Sequence, residues 1–209
     1  MKYTNLLLIA AAAALCTPAL TAQDATTTTS TTATTTTTVK PKATINQRRQ
    51  NQQQRIGEGV ENGSLTAGEA TRVEHKETKL NREVKEMKSD GNFTPAERAK
   101  VQRQENALSK DIYKQKHDAQ AQNEHPKSEV GQRQLNQQKR IGEGIENGSL
   151  NANEASRVEH REAGVNKEVA GMRANNGGKL TPQERRLVNH QENRNSKAIY
   201  RQKHDKQHR

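Results

Sequence analysis

Four glycine-centred turns in this chain set oxygen-bearing side chains at spacings that could hold a hard cation. A calcium loop of the EF-hand type uses twelve positions, with oxygen ligands at one, three, five and twelve, glycine at six and an apolar residue at eight. With Gly63 at six, Glu58 falls at one, Asn62 at five, Leu65 at eight and Glu69 at twelve. With Gly91 at six, Glu86 falls at one, Asp90 at five, Phe93 at eight and Glu97 at twelve. The third turn repeats the first, with Glu143, Asn147, Gly148 and Glu154. The metal candidates are therefore Glu58, Asn62, Glu69, Glu86, Asp90, Glu97, Glu143, Asn147 and Glu154. The third position spoils the pattern: it holds Val60, Lys88 and Ile145 in these turns, and in the fourth turn Asn175 follows Arg173 at position one. Six to eight oxygens are then out of reach without many waters, and calcium would bind no more tightly than about 10⁻³ M. No other cofactor is expected.

The same residues also read as helix caps. Thr66-x-x-Glu69, Thr94-Pro95-x-Glu97 and Thr181-Pro182-x-Glu184 are capping boxes, and Asn151-x-x-Glu154 is a relative. In such a box the hydroxyl or amide accepts from a free backbone N–H while the Glu reaches back to another. Proline at the first helical position lacks only an N–H that would be unsatisfied anyway. The glycines then supply the positive φ that ends the preceding helix.

These turns lie in a duplicated segment. Arg55-Ile-Gly-Glu-Gly-Val-Glu-Asn-Gly-Ser-Leu returns as Arg140-Ile-Gly-Glu-Gly-Ile-Glu-Asn-Gly-Ser-Leu, and each copy closes on Ile-Tyr-x-Gln-Lys-His-Asp, at 112–118 and 199–205. Three helices are expected in a copy. In the first they cover about 45–61, 66–88 and 94–117. Ile45, Ile56 and Val60 would be the contacts of the first helix. Ala70, Val73, Leu80, Val84 and Met87 form a stripe on the second, and Val101, Leu108, Ile112 and Tyr113 serve the third. Gly57 and Gly59 weaken the first helix or allow a neighbour to approach closely. Leu108 is replaced by Asn195, so the core thins in the second copy. The expected fold is all-α: two tandem small three-helix EF-hand-like modules with degenerate loops, at 45–118 and 132–205, with a linker at 119–131 and a basic tail at 206–209.

The combination Asn-Gly-Ser-Leu-Thr-x-x-Glu, Asp-Gly-x-Phe-Thr-Pro-x-Glu-Arg and Ile-Tyr-x-Gln-Lys-His-Asp resembles a group of uncharacterised exported bacterial proteins with EF-hand-like helix-turn-helix repeats. The resemblance covers about 46–118 and 132–205. It implies a periplasmic or secreted helical protein and brings no established activity with it.

The rest of the chain agrees with export. Met1-Lys2, the apolar run Leu6–Leu15 and Pro18-Ala-Leu-Thr-Ala22 have the order of a signal peptide over 1–22. Its apolar run is too short to span a bilayer, which takes about 20 residues. Cys16 follows a bulky Leu15, which argues against a lipid anchor, so the mature chain would hold no cysteine and no transmembrane segment. A Thr-rich tether over 23–44 has nothing apolar to offset its ordering entropy.

Composition narrows the function. Of 209 residues only 29% are hydrophobic and 2% aromatic, too little to build a water-excluding catalytic pocket. No nucleophile elbow, phosphate loop or zinc-protease helix is present, and the carboxylates of Glu74-His-Lys-Glu77 read as surface ion pairs. Seven histidines (His75, His117, His125, His160, His190, His204 and His208) lack the spacing of a strong transition-metal site, although His204 and His208 are four apart. A formal charge of +11 and a pI near 9.9 suit nucleic acid, lipopolysaccharide or an anionic surface, with basic clusters at Arg48-Arg49, Arg185-Arg186 and Arg201–Arg209. Scarce aromatics argue against sequence-specific nucleic-acid reading. The expectation is an exported, non-enzymatic protein with an interaction or structural role in the envelope. Weak divalent-cation binding and electrostatic polyanion binding are the alternatives, and the partner is an unknown envelope protein or polyanion.

Overall fold

A computed structural model of the chain describes residues 43–123 and 126–207. The expected signal peptide, Cys16, nearly all of the Thr-rich tether, His125 and His208 lie outside them. The described residues form six helices and no strand: α1 (Ile45–Glu61), α2 (Ala67–Met87), α3 (Pro95–Lys116), α4 (Glu129–Glu146), α5 (Ala152–Asn175) and α6 (Pro182–Lys203). The first three match the expected spans to within a residue at each end. α4 starts inside the stretch expected as a linker, because Ser128 caps it by accepting from the Gly131 N–H at 3.2 Å and Val130 is buried. None of these helices is long and apolar enough to cross a membrane.

Capping fixes where the rods begin. Thr66, Thr94, Asn151 and Thr181 all form complete boxes with the Glu three residues on. Thr44 forms a fifth box with Gln47, at a place where the sequence reading had only tether. Gly63, Gly91, Gly148, Gly177 and Gly178 take positive φ, as the ends of the preceding helices require.

The two copies do not bury separate cores. α1 packs on α4 and α2 on α5 more extensively than any helices do within one copy. The contacts join equivalent residues. A Cβ on Gly57 would stand 2.9 Å from the Gly142 carbonyl oxygen and 2.5 Å from Glu146 Cγ; one on Gly142 would stand 2.8 Å from the Gly57 oxygen and 2.9 Å from Glu61 Cβ. Gly57 and Gly142 are equivalent positions in the two copies, as are Glu61 and Glu146, and each glycine meets the other copy's pair, so a pseudo-twofold axis runs between Gly57 and Gly142, like that of an isologous dimer. The same axis passes between Thr71 and Ser156, where the serine hydroxyl meets the Thr71 carbonyl at 3.4 Å. Gly59 and Gly144 serve a local need instead: a Cβ there would meet Leu65 at 2.7 Å or Leu150 at 2.8 Å. The main apolar core runs through both copies, joining Ile56, Val60, Leu65 and Val73 to Ile141, Ile145, Leu150 and Val158.

The repeated Ile-Tyr-x-Gln-Lys-His-Asp motif docks the third helix of each copy on the first. Ile112 and Ile199 are fully buried. Lys116 Nζ donates to the Arg55 carbonyl at 3.1 Å and pairs with Glu58 at 3.6 Å. Lys203 does the same to Arg140 and Glu143, at 2.8 and 3.4 Å. One turn on, His117 stacks on Tyr113 and His204 on Tyr200, with centroids 4.1 Å apart in both. The Nδ1 of each imidazole lies 2.8 or 2.7 Å from the tyrosine carbonyl oxygen, so the ring closes the helix end. Arg55 and Arg140 reach back to Ser109 and Ser196, at 2.7 and 2.8 Å. The two motifs shared by both copies therefore hold each other.

A polar layer crosses each copy, and here the sequence reading is corrected. Glu74 and Glu77 are 0% and 1% exposed, not surface residues. Helical spacing places them on the inner face beside Val73 and Leu80, and glutamines from α1 meet them there. Gln53 Nε2 donates to Glu74 at 3.0 Å, and Gln52 Nε2 to the Glu105 carbonyl at 2.8 Å. Arg49 pairs with Glu77 at 3.5 Å and Arg48 with Glu105 at 4.0 Å, so this expected basic cluster is spent inside the protein. The second copy repeats the layer with Gln138 and Glu159 at 3.0 Å but has Gln134 in place of Arg49. Among the described residues, Glu162, the counterpart of Glu77, makes no salt bridge. Asn195 in place of Leu108 adds another buried polar group. Its apolar core is accordingly divided, with Val130, Val165, Val169 and Val188 forming a cluster of their own.

Burial pushes the Glu162 carboxyl up to about 9, helped by the like charges of Glu192 and Glu159 and opposed by Asn195 and Arg140. Burial likewise raises Glu159, to about 8, against the Gln138 hydrogen bond, and raises Glu192. Glu105 in the first copy is also raised by burial, with Arg48 and Arg49 opposing the rise.

Two predictions follow from this packing. Gly57→Ala and Gly142→Ala force backbones apart and should each cost about 1–3 kcal/mol. Gly164→Ala and Gly171→Ala, which face open space on α5, should gain roughly 0.5–1 kcal/mol; thermal unfolding of the four variants reads both. The second concerns pH. Below the ordinary carboxyl range the folded and unfolded chains both hold the protons of Glu159 and Glu162. Between that range and pH 8–9 only the folded chain holds them, so stability must fall as pH rises. Tm should therefore be higher at pH 5 than at pH 9, and Glu162→Gln should raise Tm at pH 9 by about 4 °C or more while flattening the slope. An unchanged slope in Glu162→Gln would count against a protonated core.

Candidate functional site: a cationic groove between equivalent helices

The nine residues expected to bind metal are placed, and most of their oxygens have other work. Glu69 Oε2 accepts from the Thr66 N–H at 2.9 Å and the Thr66 hydroxyl at 2.8 Å. Glu97 Oε2 receives the Thr94 N–H at 2.8 Å, and Glu154 Oε2 the Asn151 N–H at 3.0 Å. Asn62, Asp90 and Asn147 each accept from the backbone N–H two residues on, at 3.0, 2.9 and 2.9 Å. Glu58 and Glu143 face Lys116 and Lys203, and Glu86 pairs with Arg82 at 3.8 Å. Glu184, in the fourth turn, has its carboxyl held below the usual range by the backbone and side chain of Thr181. Glu154 is raised instead, because burial outweighs its cap.

The pseudo-dyad does gather some of these acids. Glu146 has its carboxyl pushed up by burial and then by Glu61, Glu58 and Glu143. Even so, among the described residues no three His, Cys, Asp or Glu side chains converge as metal ligands. His204 stacks on Tyr200.

The arrangement that does stand ready for a ligand was not among the expected sites. Between α2 and α5 runs a solvent-open groove of about 610 Å³, lined by Arg72, His75 and Lys76 from one copy and Arg157, His160 and Arg161 from the other. Thr71, Ser156 and Asn153 complete it. Among the described residues lining it there is no carboxylate and no Phe, Tyr or Trp. Arg72, Arg157 and Arg161 make no salt bridge among the described residues, while Lys76 is held at 2.5 Å by Asp111 of α3.

Helical periodicity explains the placement. Val73 and Glu74, with Val158 and Glu159, turn inward, which leaves positions 72, 75 and 76, and 157, 160 and 161, on the outer side of the paired helices. Like charges one helical turn apart, as in Arg72–Lys76 and Arg157–Arg161, destabilise a helix by roughly 0.2–0.5 kcal/mol per pair. The dyad then sets the two rows along one groove. The signal for it was present in Arg-Val-Glu-His-Lys and Arg-Val-Glu-His-Arg, which put cations at the same places in both copies. What the sequence could not show was that the copies face each other.

Compared with protein-family models, curated proteins and solved structures, the chain finds no match.

Proposed function

We propose that this is an exported, non-enzymatic helical repeat protein whose two three-helix units act as one body and whose role is electrostatic interaction with anionic partners of the envelope. Export rests on the signal-peptide order of residues 1–22. The observation that carries the binding role is the groove between α2 and α5, where cations from both copies meet, no carboxylate is among the lining residues and Arg72, Arg157 and Arg161 make no salt bridge among the described residues, while Lys76 is paired with Asp111 of α3. A net charge of +11 adds a long-range attraction for anions around it.

Divalent-cation binding has less support, since the turn carboxylates hold backbone N–H groups and lysines. An enzymatic role also has little to stand on. The buried glutamates are shut inside the bundle, and several exposed acids, Glu58, Glu86 and Glu143 among them, pair with neighbouring bases.

On immobilised heparin the full chain should be retained at low salt, with log affinity falling linearly and steeply against log salt as counterions are released. Passage through the column at low salt, or retention indifferent to salt, contradicts the reading.

A further inference from the structure

We propose that the α2–α5 groove is a specific binding site for a condensed phosphate, a short linear chain of phosphoryl groups lying across the pseudo-dyad, one per molecule. The inference rests on the polyanion reading above and narrows it to one place and one chemistry.

Size comes first. About 610 Å³ is the volume of a small-molecule site, within the usual range of about 300–1,000 Å³, and the occupant must be small and densely charged to answer three arginines and two imidazoles, Lys76 being paired with Asp111. Guanidinium chemistry comes second. The planar fork of arginine matches two phosphoryl oxygens at once, and Arg72 and Arg157 stand as equivalents across the axis with Arg161 beside them.

Symmetry comes third. Each half offers the same row: a hydroxyl (Thr71 or Ser156), an arginine, an imidazole and a second cation. A ligand that looks alike from both ends uses both rows equally. A chain of identical phosphoryl groups does so, whereas a single orthophosphate engages one row and leaves the other repelling. The Thr71 hydroxyl donates to the Ala67 carbonyl at 2.7 Å and the Ser156 hydroxyl to that of Thr71, so the ligand is read chiefly by the charged side chains. The absence of Phe, Tyr and Trp from the lining removes the stacking platform that single-stranded nucleic acid uses.

The test is calorimetric titration of the full chain with sodium tripolyphosphate at fixed ionic strength near 0.15 M. We expect saturable binding at one per chain, with orthophosphate weaker by about tenfold or more. The double variant Arg72→Gln/Arg157→Gln should lose about tenfold or more in affinity. Arg185→Gln/Arg186→Gln, with the same charge change on α6 outside the groove, should lose less than about twofold. Should the first pair disturb folding by circular dichroism, Arg161→Gln serves in its place, with an expected loss of several-fold. Equal losses in the groove and α6 variants, or several weak sites per chain, would show diffuse attraction and overturn the site. Tighter, groove-dependent binding of a short single-stranded oligonucleotide would overturn the ligand class. Heparin retention without a tripolyphosphate site leaves the broader reading standing and removes this one; loss of both removes both.

Discussion

Everything else in the structure depends on two helices touching backbone to backbone. Gly57 and Gly142 lie where α1 and α4 cross, each within reach of the other's carbonyl oxygen, and no side chain fits between them. Glycine in a helix interior costs about 1 kcal/mol relative to alanine, a cost offset by bringing Ile56, Val60, Ile141 and Ile145 into a common core. In a chain with so few large apolar residues, pooling the cores of two copies is how enough surface is buried for stability. The α2–α5 pairing follows from the same axis, and with it the groove.

The polar layers show what duplication has altered. The first copy neutralises its buried glutamates with Arg49 and Arg48. The second has Gln134 where Arg49 would be, and Asn195 where Leu108 would be. A buried carboxylate without its cation favours its proton, so losing the counterpart of Arg49 leaves burial to raise Glu162. The first layer holds two salt bridges, whereas Glu159 and Glu162 of the second are raised by burial. The copies are thus similar in backbone and different in how they respond to pH.

The helices were legible in the sequence because capping boxes and proline at the first helical position are local signals, and Thr66, Thr94 and Thr181 sit where those signals place them. The turns were legible for the same reason. Glu74 and Glu77 were misread because charge was taken as exposure, while their position was set by the helical stripe and by glutamines on another helix. Arg48 and Arg49 were misread likewise, their partners being more than twenty residues away. Cations at a helix C-terminus account locally for where the Ile-Tyr-x-Gln-Lys-His-Asp motif sits, but not for its close repetition, since Lys116 and Lys203 grip the Arg55 or Arg140 turn of another helix. The groove was hidden for a deeper reason: it exists only where one copy meets the other, and no periodicity within a single copy reports that meeting.

The central claim is that the two copies form one cooperative body through the glycine crossing. Tyr113 and Tyr200 offer one natural fluorophore in each copy. Denaturant unfolding of variants that carry Tyr3→Phe and retain either Tyr113 or Tyr200 tests the claim most directly. A shared core predicts the same midpoint and the same slope from both probes. Two separated transitions, one for each tyrosine, would mean that the copies fold independently and would contradict the account.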